Sequence, residues 1–118
     1  MRKIDMFIAG TEKKNPPLHI EVADSFFSRL RGLMGRSDLT DRQGLLIAPC
    51  SSIHMCFMRF PIDAVYINRD YEILKIVSGL HPWLGLSWCP GAWAVIELKS
   101  GESKRYGLAV GDKLNRSS

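Results

Sequence analysis

The 118-residue chain predicts an α+β fold that is mainly β, with a small barrel-like antiparallel or mixed sheet and one short helix. Three observations carry that prediction. Apolar or alternating stretches of strand length recur between turn-forming residues, roughly six or seven of them. Only residues 24–34 place apolar side chains at helical spacing. The several crossover helices that a doubly wound α/β sheet requires are absent from the pattern.

Taken in order, residues 3–8 fit a short edge strand. Asn15-Pro16-Pro17 breaks the chain, because two prolines remove backbone donors and forbid helix. Residues 18–22 alternate apolar and polar side chains, which is a half-buried strand with His19 and Glu21 on its outer, solvated face. Asp24-Ser25 suits a helix N-terminus, since either side chain can accept from the first free N–H groups. Phe26, Phe27, Leu30, Leu33 and Met34 then follow on one face, and Gly35 supplies a left-handed stop. Residues 44–49 read as a buried strand closed by Pro49, and residues 51–57 as a further extended stretch. Arg59-Phe60-Pro61 makes a corner. Residues 62–67 and 73–77 flank a turn at Asn68–Asp70, the pattern of a β-hairpin. Residues 78–90 form the longest irregular region, rich in Gly, Pro and Trp. Residues 92–99 read as another strand, and Gly107 and Gly111-Asp112 as tight turns before a final short one. The expected organisation is an N-terminal strand and loop (1–17), a single β-rich domain (18–114) and a tail (115–118).

The composition, 46% hydrophobic and 24% charged, is that of an ordinary globular domain. No apolar run approaches the roughly 18 residues of a membrane span, and residues 1–10 lack the long apolar core of a secretory signal, so the chain as written is expected in the cytoplasm. Three cysteines, with no Cys-x-x-Cys pair, fit reduced and mostly buried thiols rather than a disulfide framework. The net charge of +4 is spread along the chain instead of gathered on one stretch, which argues against a nucleic-acid partner.

The chemically distinctive stretch is Cys50 to Asp63. It sets His54, Cys56, Arg59 and Asp63 among Met, Phe and Ile, and polar groups buried in such company need partners. Its residues also carry a family pattern. Arg29-Leu-Arg-Gly32-Leu-Met34-Gly-Arg36, Gly44-Leu-Leu, and Ile53-His54-Met-Cys-Phe-Met58-Arg59-Phe60-Pro61-Ile62-Asp63 resemble the domain-of-unknown-function 192 family. Pro82, the run Val95-Ile96-Glu97-Leu98 with Gly101, and Gly111-Asp112 fall where that pattern expects them. The resemblance spans residues 18–114. It implies a small barrel-like β-rich fold with a short helix and implies no reaction. Many relatives carry an export or lipoprotein signal. Another branch has Trp-Met-Lys-Asn-Thr where this chain has Phe57-Met58-Arg59-Phe60-Pro61.

Three chemistries compete at the centre. If residues 50–58 are extended, Ser52, His54, Cys56 and Met58 share a face, and the last three are donors suited to zinc or copper(I). Core packing of Cys56 and Met58 is the simpler reading, so no metal or other cofactor is expected. A hydrolase-like site would use His54 as base, Cys56 as nucleophile and Asp63 to orient them. Alternatively Arg59 and Asp63 pair with each other or with other residues and fix the path between strands. A binding site would line a barrel mouth with His54, Met58, Arg59, Asp63, Trp83 and Trp88, Arg59 suiting an anion and the indoles a sugar or ring. Glu97 either faces solvent or pairs with an arginine. No triad-like motif is complete, so the balance favours a monomeric, non-enzymatic domain that binds a small molecule or a protein partner around residues 54–63.

Overall fold

A computed structural model describes residues 2–10, 16–23, 43–54, 60–81 and 85–117. Nine strands and one short helix follow in order among them. The strands are β1 (Arg2–Ile8), β2 (Leu18–Ala23), β3 (Gln43–Ile47), β4 (Ser52–His54), β5 (Ile62–Ile67), β6 (Ile73–Leu80), β7 (Leu86–Trp88), β8 (Ala94–Lys99) and β9 (Leu114–Ser117), and the helix α1 is Glu102–Tyr106. The fold class is α+β, mainly β, as the sequence predicts. The helix expected over residues 24–34 lies outside the described residues, as do Cys56, Met58, Arg59 and Trp83.

Seven strands form one curled sheet in the order β6-β5-β8-β3-β2-β1-β9, and β4 and β7 form a separate antiparallel pair. All neighbours in the large sheet are antiparallel except β2 and β3. β1 is therefore an interior strand, paired with β2 on one side and β9 on the other, and not the edge expected of it. The curl brings the two edge strands together at one end. There Ile73 N donates to Asp112 O at 2.8 Å and Leu114 N to Tyr71 O at 2.9 Å.

Alternation decides what each face does. Ile4, Met6, Leu18, Ile20, Val22, Leu46, Val65, Ile67, Ile73, Ile96 and Leu98 point inward and make the main core. On β1 and β2 the opposite face is polar, with Lys3, Asp5, His19 and Glu21, and His19 Nδ1 lies 3.0 Å from Asp5 Oδ1. On β3, β8 and β5 both faces are buried, and Leu45, Ile47, Ile62, Ala64, Tyr66 and Val95 build a second apolar cluster on the outside of the curl. This is why β5 is buried at all six positions: it is covered twice.

The irregular region expected over 78–90 is more ordered than its Gly and Pro content suggests. β6 continues to Leu80, and β7 occupies Leu86–Trp88. β6 passes Ser78 and Gly79 through a bulge opposite Asp63, with Gly79 at φ +64°. A left-handed residue there re-aims the strand without ending it. Helix α1 ends in a Schellman-type turn: Gly107 is left-handed, and Leu108 N donates to Ser103 O at 2.8 Å.

Asp63 ties these pieces together. It is fully buried on the inner face, opposite Leu98. Its Oδ1 accepts from Gly79 N at 2.9 Å. Its Oδ2 accepts from Gly101 N at 3.1 Å, Ser103 N at 3.0 Å and Ser103 Oγ at 2.6 Å. The carboxylate therefore fixes the path between strands through backbone donors and a serine.

Two stability outcomes follow from this geometry. Replacing Asp63 by Asn puts an NH2 group against Gly79 N–H in one orientation and against Gly101 and Ser103 N–H in the other. Urea unfolding should show Asp63→Asn less stable by about 2 kcal/mol and Asp63→Ala by about 3–5 kcal/mol. An unchanged midpoint would remove the latch from this account. At Gly44 an added Cβ would meet Leu98 Cδ2 at 2.6 Å, Glu97 O at 2.9 Å and Ile20 Cδ1 at 2.9 Å. Since a backbone oxygen is among them, Gly44→Ala should cost about 1–3 kcal/mol in the same measurement.

Candidate functional site

The candidate site is the outer face of β3, β8 and β5 beneath the β4–β7 pair. The sheet register lines its residues into two transverse rows. One runs Glu21, Leu45, Glu97, Ala64, Val77, and the other runs Ile47, Val95, Tyr66, Lys75. The first row starts on the open polar face of β2 and ends under cover. Glu97 lies in the covered part of that row, between fully buried Leu45 and Ala64, and is only 4% exposed, which closes the solvent-facing alternative for it.

Tyr66 is fully buried, and its hydroxyl lies 2.6 Å from Ser87 Oγ. That contact attaches β7 to the sheet, because a buried phenol needs a hydrogen-bond partner and Ser87 is the inward residue of β7. Burial raises the Tyr66 pKa, the Ser87 hydrogen bond lowers it, and the nearby Cys50, Cys89 and Glu97 charges add smaller upward pushes. A phenol so placed stays protonated and donates or accepts without ionising. Lys75 Nζ donates to Trp88 O at 2.8 Å, holding the far end of β7 against β6. Phenol and hydroxyl thus meet over an apolar floor, with Glu97 in the neighbouring row on the same face.

The structure separates residues that the sequence groups. His54 ends β4, opposite Leu86, so its strand belongs to the pair above Tyr66. Asp63 faces the other side of the sheet, turned into the main core. Trp88 is 57% exposed, so it does not cap the core. Tyr66 and Ser87 were not singled out by the sequence. The available signal was Tyr66 itself, a hydroxyl inside an otherwise apolar strand, which has to be satisfied by something. Among the described residues, no group of three or more His, Cys, Asp or Glu side chains could hold a metal ion.

A family profile named DUF192 and described as "Uncharacterized ACR, COG1430" matches residues 8–116. A UPF0127 protein of Thermococcus sibiricus is 29% identical over 115 residues, covering 93% of this chain and 73% of the relative. A UPF0127 protein of Pyrococcus furiosus is 29% identical over 110 residues, covering 88% and 91%. A crystal structure from Sinorhizobium meliloti 1021, provisionally named a transcription regulator, has a TM-score of 0.85 at 24% identity and covers 98% of this chain and 94% of its own. A protein of unknown function from Novosphingobium aromaticivorans has a TM-score of 0.80 at 23% identity, covering 96% and 84%. At these identities the two structures are similar in fold alone.

The buried phenol has a pH signature. Its folded pKa is raised above the ordinary value of 10.0. Below that value folded and unfolded chains both carry a neutral phenol, and its stabilisation is intact. Above it the unfolded phenol ionises first, so stability falls as pH rises toward the folded pKa. Phenolate absorbance should show a step above the ordinary phenol range, and Tyr66→Phe should delete that late step. Loss of an earlier step instead would place Tyr66 in contact with water.

Proposed function

The chain belongs to the DUF192 family, and from that premise we propose that it is a non-enzymatic domain binding a small ligand on the outer face between β8 and the β4–β7 pair. The observation that supports this reading is the presence of buried Glu97 on the same apolar face as the Tyr66–Ser87 hydroxyl pair, one row away. Glu97 favours a ligand that brings N–H or O–H donors, and the hydroxyl pair can serve either a donor or an acceptor. Trp88 would stand at the rim of the same site, and Met58 and Arg59, which the sequence groups with it, lie outside the described residues.

A hydrolase-like use of His54, Cys56 and Asp63 fits less well. Asp63 spends both carboxylate oxygens on four hydrogen bonds at the opposite face. Cysteines held as thiols, such as buried Cys89, suit a reducing compartment such as the cytoplasm. No described helix is long and apolar enough to cross a membrane.

Amide chemical shifts should be followed while sugars, nucleotides, amines and small acids are added in turn. Shifts centred on Tyr66, Ser87 and Glu97 are expected for one class, weakened at least tenfold in apparent affinity by Glu97→Gln, about 1.4 kcal/mol. Shifts confined to the open cleft of about 450 Å3 beside Arg69 and Trp93 would sink the assignment. So would no response to any of them, and the search would turn to protein partners.

A further inference from the structure

The open cleft beside Arg69 and Trp93 lies at the end of the sheet where β3 and β5 finish and β6 and β8 begin. Its volume of about 450 Å3 falls in the range of small-molecule clefts, about 300–1,000 Å3. Pro49, Ala92 and Trp93 supply apolar lining, and Asn68, Arg69 and Asp70 supply polar lining. Backbone hydrogen bonds fix both walls. On one, Asn68 Oδ1 accepts from Asp70 N at 2.9 Å and from Glu72 N at 3.0 Å. On the other, Trp93 N donates to Ile67 O at 2.9 Å and Cys50 N to Trp93 O at 2.8 Å. A cleft set in advance spends little of a ligand's binding energy on ordering.

The Arg69 guanidinium lies over the Trp93 ring, 5.8 Å from its centroid, a cation–π contact. Trp93 packs in turn on Tyr71, with ring centroids 5.7 Å apart, and Arg116 Nη1 donates to the Tyr71 hydroxyl at 3.1 Å. Both rings rest on the main core, so the guanidinium has a firm platform. Tyr71 holds its place at φ +65°, the one positive φ outside glycine among the described residues, and a bulky side chain adopts it only at a cost. The Arg69 guanidinium and the Asp70 carboxylate make no hydrogen bond or ion pair with any described residue. A guanidinium stacked on a ring keeps its edge free, and that edge takes a carboxylate through two parallel hydrogen bonds. The acid beside it disfavours a plain anion and suits a ligand that also carries a cation. We propose that this cleft binds a free α-amino acid with an apolar side chain. Arg69 takes the carboxylate, Asp70 takes the ammonium, and the side chain lies against Pro49, Ala92 and Trp93.

The test titrates phenylalanine into the whole chain while amide and indole N–H chemical shifts are followed. Saturable shifts are expected at Asp70, Ala92 and the Trp93 indole. Phenethylamine lacks the carboxylate and 3-phenylpropionate lacks the ammonium, and each should bind at least fivefold more weakly than phenylalanine. Arg69→Ala should erase the margin over phenethylamine, and Asp70→Asn the margin over 3-phenylpropionate. Both side chains are exposed, so these variants keep the fold. Either analogue binding wild-type protein as tightly as phenylalanine overturns the proposal. So do shifts that fail to saturate, or none at these three positions. The reporting signals are separate from those of Tyr66, Ser87 and Glu97, so this site and the outer-face site stand or fall independently.

Discussion

Four hydrogen-bond donors aimed at one buried carboxylate are the constraint on which the rest of this structure hangs. Asp63 has no water to fall back on, so it is satisfied only when the β6 bulge, the turn after β8 and the first turn of α1 all converge on it. Apolar burial would tolerate some drift in how these pieces meet; an acid with three backbone partners does not. It also guards the register. A slip of one residue along β5 would turn Asp63 to the outer face and carry Tyr66 into the main core.

The same alternation divides labour within β5. Asp63, Val65 and Ile67 face the interior of the curl and belong to its architecture, while Ala64 and Tyr66 face outward beneath the β4–β7 pair. Architecture and candidate chemistry thus sit back to back on one six-residue strand. The outer face is polar and open over β1 and β2 but apolar and covered over β3, β8 and β5, and Glu97 lies within the covered part. A ligand reaching Glu97 would leave water for an environment in which each hydrogen bond counts for more.

Much of the fold was legible because strand periodicity survives in short segments. The strand at 62–67 and the hairpin turn at Asn68–Asp70 were read directly, the latter from an asparagine whose Oδ1 accepts from Asp70 N and Glu72 N. Helix α1 was missed because five residues complete barely more than one turn, too little for a 3.6-residue period to register. The end of β6 was missed because Ser78-Gly79 has the composition of a turn and serves as a bulge. Asp63 could be recognised as needing partners, but not which ones. Backbone N–H groups of Gly79 and Gly101 carry no mark in a sequence. Alternation along β5 turns Asp63 to the inner face, while Ser87 of the strand that holds Trp88 meets Tyr66 on the outer one.

Pairing of the first strand with the last has a consequence for how the molecule is made. Asp5 meets Ser117, and Ile8 meets Leu114. During synthesis β1 and β2 can emerge and pair, yet one edge of β1 keeps its unpaired amides until nearly the whole chain has left the ribosome. A nascent chain therefore carries an exposed strand edge for most of its translation, the kind of surface that recruits other strands or chaperones. Contacts so distant along the chain also slow the closing step, because the loop entropy is lost before the pairing compensates for it.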